Sequence, residues 1–270
     1  MTKLLGKIII EGKIKALTGL HVGGSSTGME IGGVDNVVFR DSITGRPYIP
    51  GSSLKGSLRS LMERSGDNPF NSRVDDSWIH MCKDLKSFER CSICRVFGVI
   101  ADSLKSTESS ESSEANGNMP SLTRLMVRDA LITDETAEEL KGLDTDLLHT
   151  DVKTEVAIDR ITSQATPGQI ERVQAGLEFN FGMIFNVFVK EDLIFLKHVF
   201  QAMTLLENDA LGGQGSRGYG KIAFEIENLS WRPTNYYAAG QGEVAHMNES
   251  INTAAGIRDG FDQVLQKIGV

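Results

Sequence analysis

Between residues 177 and 190 every second side chain is apolar: Leu177, Phe179, Phe181, Met183, Phe185, Val187 and Val189. A period of two puts all seven on one face, so the run reads as a long β-strand whose apolar side needs a covering layer. The other strands must join it. Residues 7–17 alternate through Ile8, Ile10, Gly12, Ile14 and Ala16, and residues 221–229 through Ile222, Phe224 and Ile226. A shorter alternating stretch covers 122–132, with Arg124 and Arg128 read onto one face. Helical spacing appears twice. Leu54, Leu58, Leu61 and Met62 form a stripe over 53–64, and an apolar segment capped by Asp192 runs to about Leu206.

In chain order these elements read β (7–17), α (53–64), β (122–132), β (177–190), α (192–206), β (221–229). That order predicts an α+β, ferredoxin-like (RRM-like) βαββαβ fold, with one insertion after the first helix and another between the middle strands. A short helix is expected from Asp134 to Gly142, and a hairpin or extended arm over 153–176. The weakly patterned tail has a helix from about Gly260.

Charge is unevenly placed. The chain has 270 residues and a net charge of −8, which argues against nucleic acid at first sight. Residues 101–151, however, hold 12 acidic and 4 basic groups, leaving 24 of each sign elsewhere. The acidity belongs to one region, including the low-complexity stretch 102–118, and the rest is free to present basic surfaces. Ile8–Ile10 is too short and too closely flanked by lysines for a membrane span or signal peptide, so a cytoplasmic protein is expected.

The stretch GRPYIPGSSLKGSLRSLMER (45–64) suggests a helix opening at Ser52 or Ser53 as N-cap. Lys55 and Arg59, four apart, then share a face near the positive end of the helix dipole, an arrangement suited to a phosphate. Gly51 and Gly56 nearly complete a Walker A motif, but Ser57 stands where its lysine must be, which disfavours an NTPase. In LGGQGSRGYGKI (211–222), Gly213, Gly215 and Gly218 make a formal GxGxxG. A dinucleotide site needs a strand before and a helix after. Here the order is reversed. The loop instead offers bare backbone N–H groups with Ser216, Arg217 and Tyr219, a combination suited to an RNA backbone.

All three cysteines fall in WIHMCKDLKSFERCSICRVFG, with His80 two residues before Cys82 and Cys91-x-x-Cys94 closing the set. Thiolate and imidazole ligands at such spacing can close tetrahedrally around Zn²⁺, in a structural role because four protein ligands leave no open position. Unrelated thiols or a redox CxxC are the alternatives.

Five segments together resemble the RAMP superfamily: GLHVGG (19–24), GGVDN (32–36), PGSSLKGSLR (50–59), KTEVAIDR (153–160) and GGQGSRGYGK (212–221). The likeness is to the repeated backbone subunit of type III-A CRISPR effector complexes and spans nearly the whole chain. It implies a palm (1–64, 122–132, 177–229), a zinc-containing insertion (66–120), a β-hairpin thumb (133–176) and a tail (230–270). It further implies subunits lined along a CRISPR RNA with other subunits of the complex, in antiviral defence. The same resemblance implies that target RNA is cut, with Mg²⁺ or another divalent metal, by an aspartate where Asp35 stands. His21, Ser52, Lys55, Arg59, Arg124, Arg160, Gly213, Gly215, Ser216, Arg217 and Tyr219 are the expected RNA contacts. The competing expectation is a non-catalytic backbone subunit of a type III-B or type I complex. The aspartate in a flexible glycine loop favours cleavage.

Overall fold

The computed structural model describes residues 3–23, 36–100, 123–139, 147, 149–239, 245–246 and 252–268. Its centre is the pairing predicted from alternation. Strand β1 (Gly6–Ala16) lies antiparallel between β9 (Glu178–Val187) and β10 (Ile222–Pro233). Beyond β9 the sheet continues through β6 (Ala130–Ile132) to β2 (Tyr48–Ile49), while β5 (Leu125–Val127) pairs with another part of β9. Beyond β10 lies β11 (Ala245–His246).

The apolar face is covered by helices α1 (Gly51–Ser65), α5 (Asp192–Glu207) and α7 (Ala254–Asp259). Ile8, Ile10 and Ile14 of β1, Phe179, Met183 and Phe185 of β9, and Phe224 of β10 meet Leu54 and Leu58 of α1 and Phe200 of α5 in one cluster. Fully burying a side chain of this size contributes about 1.5–3 kcal/mol, so the layer between sheet and helices is the main source of stability. A bulge opposite Glu11 and Gly12 shifts the register, moving the buried set of β10 from Ile226 to Leu229. Gly12 is required there: a Cβ would stand 2.0 Å from the Glu225 carbonyl oxygen.

Two sequence expectations change. The stretch 122–132 divides into β5 and β6 around Arg128 and Asp129, so Arg124 and Arg128 do not share a face: Arg124 is buried and Arg128 exposed. Helix α1 starts at Gly51 after Pro50 and has no side-chain cap from Ser52 or Ser53. The Asp129 carboxylate, from the break between the strands, accepts the Gly51 N–H at 2.7 Å. Lys55 therefore lies beyond the first turn, and a protein acid already sits at the helix N-terminus. In the tail, the helix expected from about Gly260 is α8 (Phe261–Ile268), and an unexpected one, α7, precedes it.

Two units sit outside the sheet. One is the hairpin β7 (Thr150–Ile158) and β8 (Ala165–Val173), a two-stranded sheet of its own. The other follows α1 and holds the small hairpin β3 (Ser72–Val74) and β4 (Ser77–Ile79), then α2 (Leu85–Arg90) and α3 (Ser92–Phe97). The expected helix from Asp134 is described as α4 (Asp134–Glu139). Its end at Gly142, the acidic stretch 102–118 and most of GGVDN lie outside the described residues.

A polar groove and a candidate metal centre

The glycine loop folds back on the segment after β1. The Gly213 N–H donates to the His21 carbonyl at 2.8 Å and the Gly220 N–H to the Gly19 carbonyl at 2.9 Å. Gly212 has φ +83°, and a Cβ there would stand 2.2 Å from the His21 oxygen, so glycine is the only residue that fits without strain. Gly215–Arg217 form one 3₁₀ turn. Gly213, Ser216 and Arg217 are exposed, Gly215 half-exposed, and Tyr219 buried.

The base of the hairpin docks on this loop. Tyr219 lies between Lys153 and Arg172, 5.0 and 5.4 Å from its ring centre. Arg217 Nη1 donates to Glu155 Oε2 at 3.2 Å and to Gln214 Oε1 at 2.8 Å. Its side chain is 59% exposed, so the pair is open to competition from another anion. Glu155 has its pKa lowered, first by the nearby Tyr219 hydroxyl, then by Lys153, with Arg217 contributing less. His21 Nδ1 donates to the Glu171 carbonyl at 2.7 Å, which fixes the half-buried ring against the loop. The Glu171 carboxylate, 1% exposed, gathers the Val38 N–H (2.9 Å), the Thr150 hydroxyl (2.7 Å) and the Arg40 guanidinium. Between hairpin and loop runs a groove of about 350 Å³ lined by Asn36, Glu155, Pro167, Ile170, Gln214 and Arg217. Asn36 directly follows Asp35, which itself lies outside the described residues.

At its far end the hairpin carries a rigid turn. Asp159 Oδ1 accepts the N–H groups of Ile161 (2.7 Å) and Thr162 (2.8 Å), and Ser163 closes it with φ +60°. The turn holds Ile161 out at 94% exposure beside the exposed Arg160.

The insertion after α1 brings His80, Cys82, Cys91 and Cys94 together, with one ligand atom of each within 4.8 Å of the others. His80 Nε2 lies 3.3 Å from Cys91 Sγ and 3.7 Å from Cys82 Sγ. A Zn²⁺ with bonds of about 2.0 Å to nitrogen and 2.3 Å to sulfur needs tetrahedral edges of roughly 3.5–3.8 Å, so the set could hold a zinc ion. The rest of the cluster agrees. His80 Nδ1 donates to the Pro69 carbonyl at 3.0 Å, leaving Nε2 as the ligand atom. The Cys82 N–H donates to Cys94 Sγ (3.3 Å) and the Cys94 N–H to Cys91 Sγ (3.4 Å), as suits thiolates. The Cys94 thiol and backbone hydrogen bonds bring the pKa of Cys91 down to about 5; the same Cys91 contact and burial push Cys94 up.

Several expected RNA contacts are committed to protein instead. Arg124, 3% exposed, pairs with Asp192 and packs on Phe188. Arg59 donates to Glu63 and to the carbonyls of Gly98 and His80. Tyr219 is inside the hairpin joint. Lys55 gives one of its three donors to Thr123 at 3.1 Å, and burial, then Arg59, lowers its pKa. Ser52, Arg160, Gly213, Ser216 and Arg217 are exposed. Lys153 and Arg172 were missed because only the cross-strand register of the hairpin brings them to Tyr219.

A helix-backed antiparallel sheet with a glycine loop, a docked hairpin and a Cys₃His insertion defines a mixed α/β protein of the RAMP type. The chain belongs to the RAMP superfamily, whose family model matches residues 13–223. It is 43% identical over 235 residues to the CRISPR system Cms endoribonuclease Csm3 of Methanothermobacter thermautotrophicus, covering 87% of this chain and 90% of that one. It is 37% identical over 256 residues to the protein of the same name from Methanocaldococcus jannaschii, covering 91% and 92%. Among solved structures it resembles a chain in the Csm3–Csm4 subcomplex of the type III-A CRISPR-Cas interference complex. There the TM-score is 0.56 at 29% identity, with 97% of each chain covered.

Proposed function

We propose that this chain is the repeated backbone subunit of a type III-A CRISPR effector complex and cuts target RNA paired to the guide. The observation that carries the reading is the 43% identity, over nine-tenths of its length, to a relative named an endoribonuclease. The order β10–β1–β9–β6 supports a ferredoxin-like palm, the separate hairpin β7–β8 a thumb, and the Cys₃His cluster a structural zinc site. The partners are CRISPR RNA, target RNA, further copies of this chain along the guide, and other subunits of the complex. Among the described residues no helix is long and apolar enough to cross a membrane, in keeping with a cytoplasmic complex.

RNA carries its own nucleophile. The 2′-oxygen attacks the adjacent phosphorus and loses its proton, while the bond to the 5′-oxygen breaks and that oxygen gains a proton. The chain need only align the three atoms in line and favour charge as it develops. Asp35, one residue before the groove-lining Asn36, is the proposed catalytic acid. A divalent metal, when bound, would neutralise the phosphate there, since Mg²⁺ is commonly held by one or two carboxylates plus phosphate oxygens. Ser52, Lys55, Gly213, Gly215, Ser216, Arg217 and His21 hold the RNA backbone, and Arg160 and Ile161 on the hairpin turn meet it further out.

Asp35→Ala in the assembled complex tests this. Guide and target binding should stay within about twofold, a few tenths of a kcal/mol, while cutting disappears. The wild-type products should carry 2′,3′-cyclic phosphate and 5′-hydroxyl ends and should not form in EDTA. A variant that still cuts removes Asp35 from the mechanism. A wild-type complex that binds target without cutting it assigns the chain to the non-catalytic backbone class.

A further inference from the structure

Arg59 spends three of its five N–H donors on protein acceptors. Its Nε meets Glu63 Oε1 at 2.8 Å, one turn along α1. Nη2 meets the His80 carbonyl at 2.8 Å and Nη1 the Gly98 carbonyl at 3.1 Å. Glu63, 4% exposed, also accepts the His80 N–H at 3.2 Å. One ion pair on α1 therefore holds both the N–H and the C=O of the same residue, a member of the Cys₃His cluster. It also holds Gly98, which terminates α3 just after Cys94. All four cluster residues lie within the segment 80–98 that this pair grips at both ends.

We propose that Arg59 and Glu63 are positioning residues of the metal cluster, fixing the His80 backbone and closing the insertion onto α1. The proposal rests on the zinc reading above. Around the cluster the insertion has little core of its own: Phe88 packs with Cys82 and Cys94 in a satellite cluster separate from the main one. Its α3 end is held separately, by Ile93, Val96 and Phe97 in the main core and by the Arg95–Asp192 pair, so without the clamp it is the His80 end that would have to be ordered at the moment of binding. With it, His80 is set before the ion arrives, its ring turned by Pro69 and its peptide groups held from α1. The planar guanidinium fork suits this task; a lysine ammonium cannot span an acid and two divergent carbonyls in one fixed geometry. The coupling is reciprocal: whatever the clamp adds to zinc affinity, zinc returns to the contact between insertion and α1.

The experiment compares the full-length chain with Arg59→Ala, Arg59→Lys and Glu63→Gln, purified with added zinc. Three readouts are needed: zinc release into excess chromophoric chelator, amide exchange over 77–98, and RNA affinity against salt. Arg59→Ala should weaken zinc retention about 10-fold or more, the range for loss of an outer partner of a ligand. Exchange at the His80 and Gly98 amides should quicken, with RNA affinity within about twofold of wild type. Arg59→Lys should fall between Ala and wild type, and Glu63→Gln should be milder because it keeps an acceptor. Unchanged zinc release and exchange in Arg59→Ala would overturn the clamp. So would a loss of RNA affinity with a salt slope shallower by about one phosphate contact, which would return Arg59 to the RNA surface. A wild-type chain that takes up no zinc defeats the zinc reading alone, and amide exchange then decides whether the pair still anchors the insertion.

Discussion

Asp192 offers the sharpest test of how the insertion after α1 is tied to the sheet. Its side chain has no exposure and accepts from Arg95 of α3 at 2.5 Å and from Arg124 at 3.1 Å. Its second oxygen accepts the N–H groups of Phe188 and Val189 at 2.9 and 3.1 Å. Asp192→Ala would leave two guanidiniums, 8% and 3% exposed, without their acid, and two backbone donors without an acceptor. Breaking a buried pair from one side costs about 3–5 kcal/mol. An unsatisfied backbone donor adds about 1–3 kcal/mol where water cannot reach it. A loss of about 4–8 kcal/mol is expected, a large share of the roughly 5–15 kcal/mol available to a domain. Urea unfolding followed by fluorescence of Trp78 and Trp231 should show it, as a strongly lowered midpoint or as insoluble protein. The triple variant Arg95→Met, Arg124→Met, Asp192→Leu should recover most of the loss, since the cost lies in stranded charge rather than missing attraction. An Asp192→Ala protein within about 1 kcal/mol of wild type would refute the reasoning, as would an Arg124→Met protein of full stability with impaired RNA binding.

Glu155→Gln should strengthen RNA binding by about two- to fivefold at low salt, because the half-open Arg217 pair contributes roughly 0.2–1 kcal/mol that RNA must displace. Titration of labelled single-stranded RNA checks this, and weaker binding would count against Arg217 as a contact. Glu207 has its pKa raised by burial, although it accepts the Phe224 N–H at 2.8 Å. A folded pKa above the unfolded value stabilises fully below the unfolded pKa, and that contribution is lost as pH rises through the folded pKa. Glu207→Gln should therefore match wild type in acid and gain up to about 1 kcal/mol at neutral pH, read by thermal unfolding at both pH values. Ile161→Asp should leave stability within about 0.5 kcal/mol, given its 94% exposure, yet impair RNA-bound assemblies in size-exclusion chromatography. Intact assemblies would remove the hairpin turn from the RNA path.

Period-two alternation located the central strands because burial on one face leaves a direct mark on composition. Gly6–Ala16 and Glu178–Val187 differ from the expected bounds by a few residues at most. The Cys₃His cluster was equally legible, since its residue types are scarce and its spacing short. The basic residues were not. Lys55, Arg59, Arg124 and Arg217 look alike in a sequence, and the difference lies in where an acid arrives from. Glu63 is a turn away from Arg59, but Asp192 is 68 positions from Arg124 and Glu155 is 62 from Arg217. The N-terminus of α1 shows the same thing: local spacing pointed to Ser52 or Ser53, and Asp129 came from 78 residues away. Whether a cation is bound internally or free for a ligand is thus decided by tertiary pairing.

That distinction bears on how a chain of net charge −8 holds RNA at all. Arg40, Arg59, Arg95 and Arg124 are tied to carboxylates with side chains no more than 4% exposed, and the charged side chains among the proposed RNA contacts are Lys55, Arg160 and Arg217. Each phosphate contact to a single strand adds only about 0.7 to the salt slope, so a few per chain give weak, salt-sensitive binding. Repetition changes the arithmetic. Copies lined along one guide, as proposed, would bind at high effective concentration, and their weak contacts would multiply without any one of them being strong. Internal pairing of these four arginines would then serve such an assembly twice: it secures the hairpin and the insertion on the sheet, and it would limit the adhesion of a lone subunit to RNA at large.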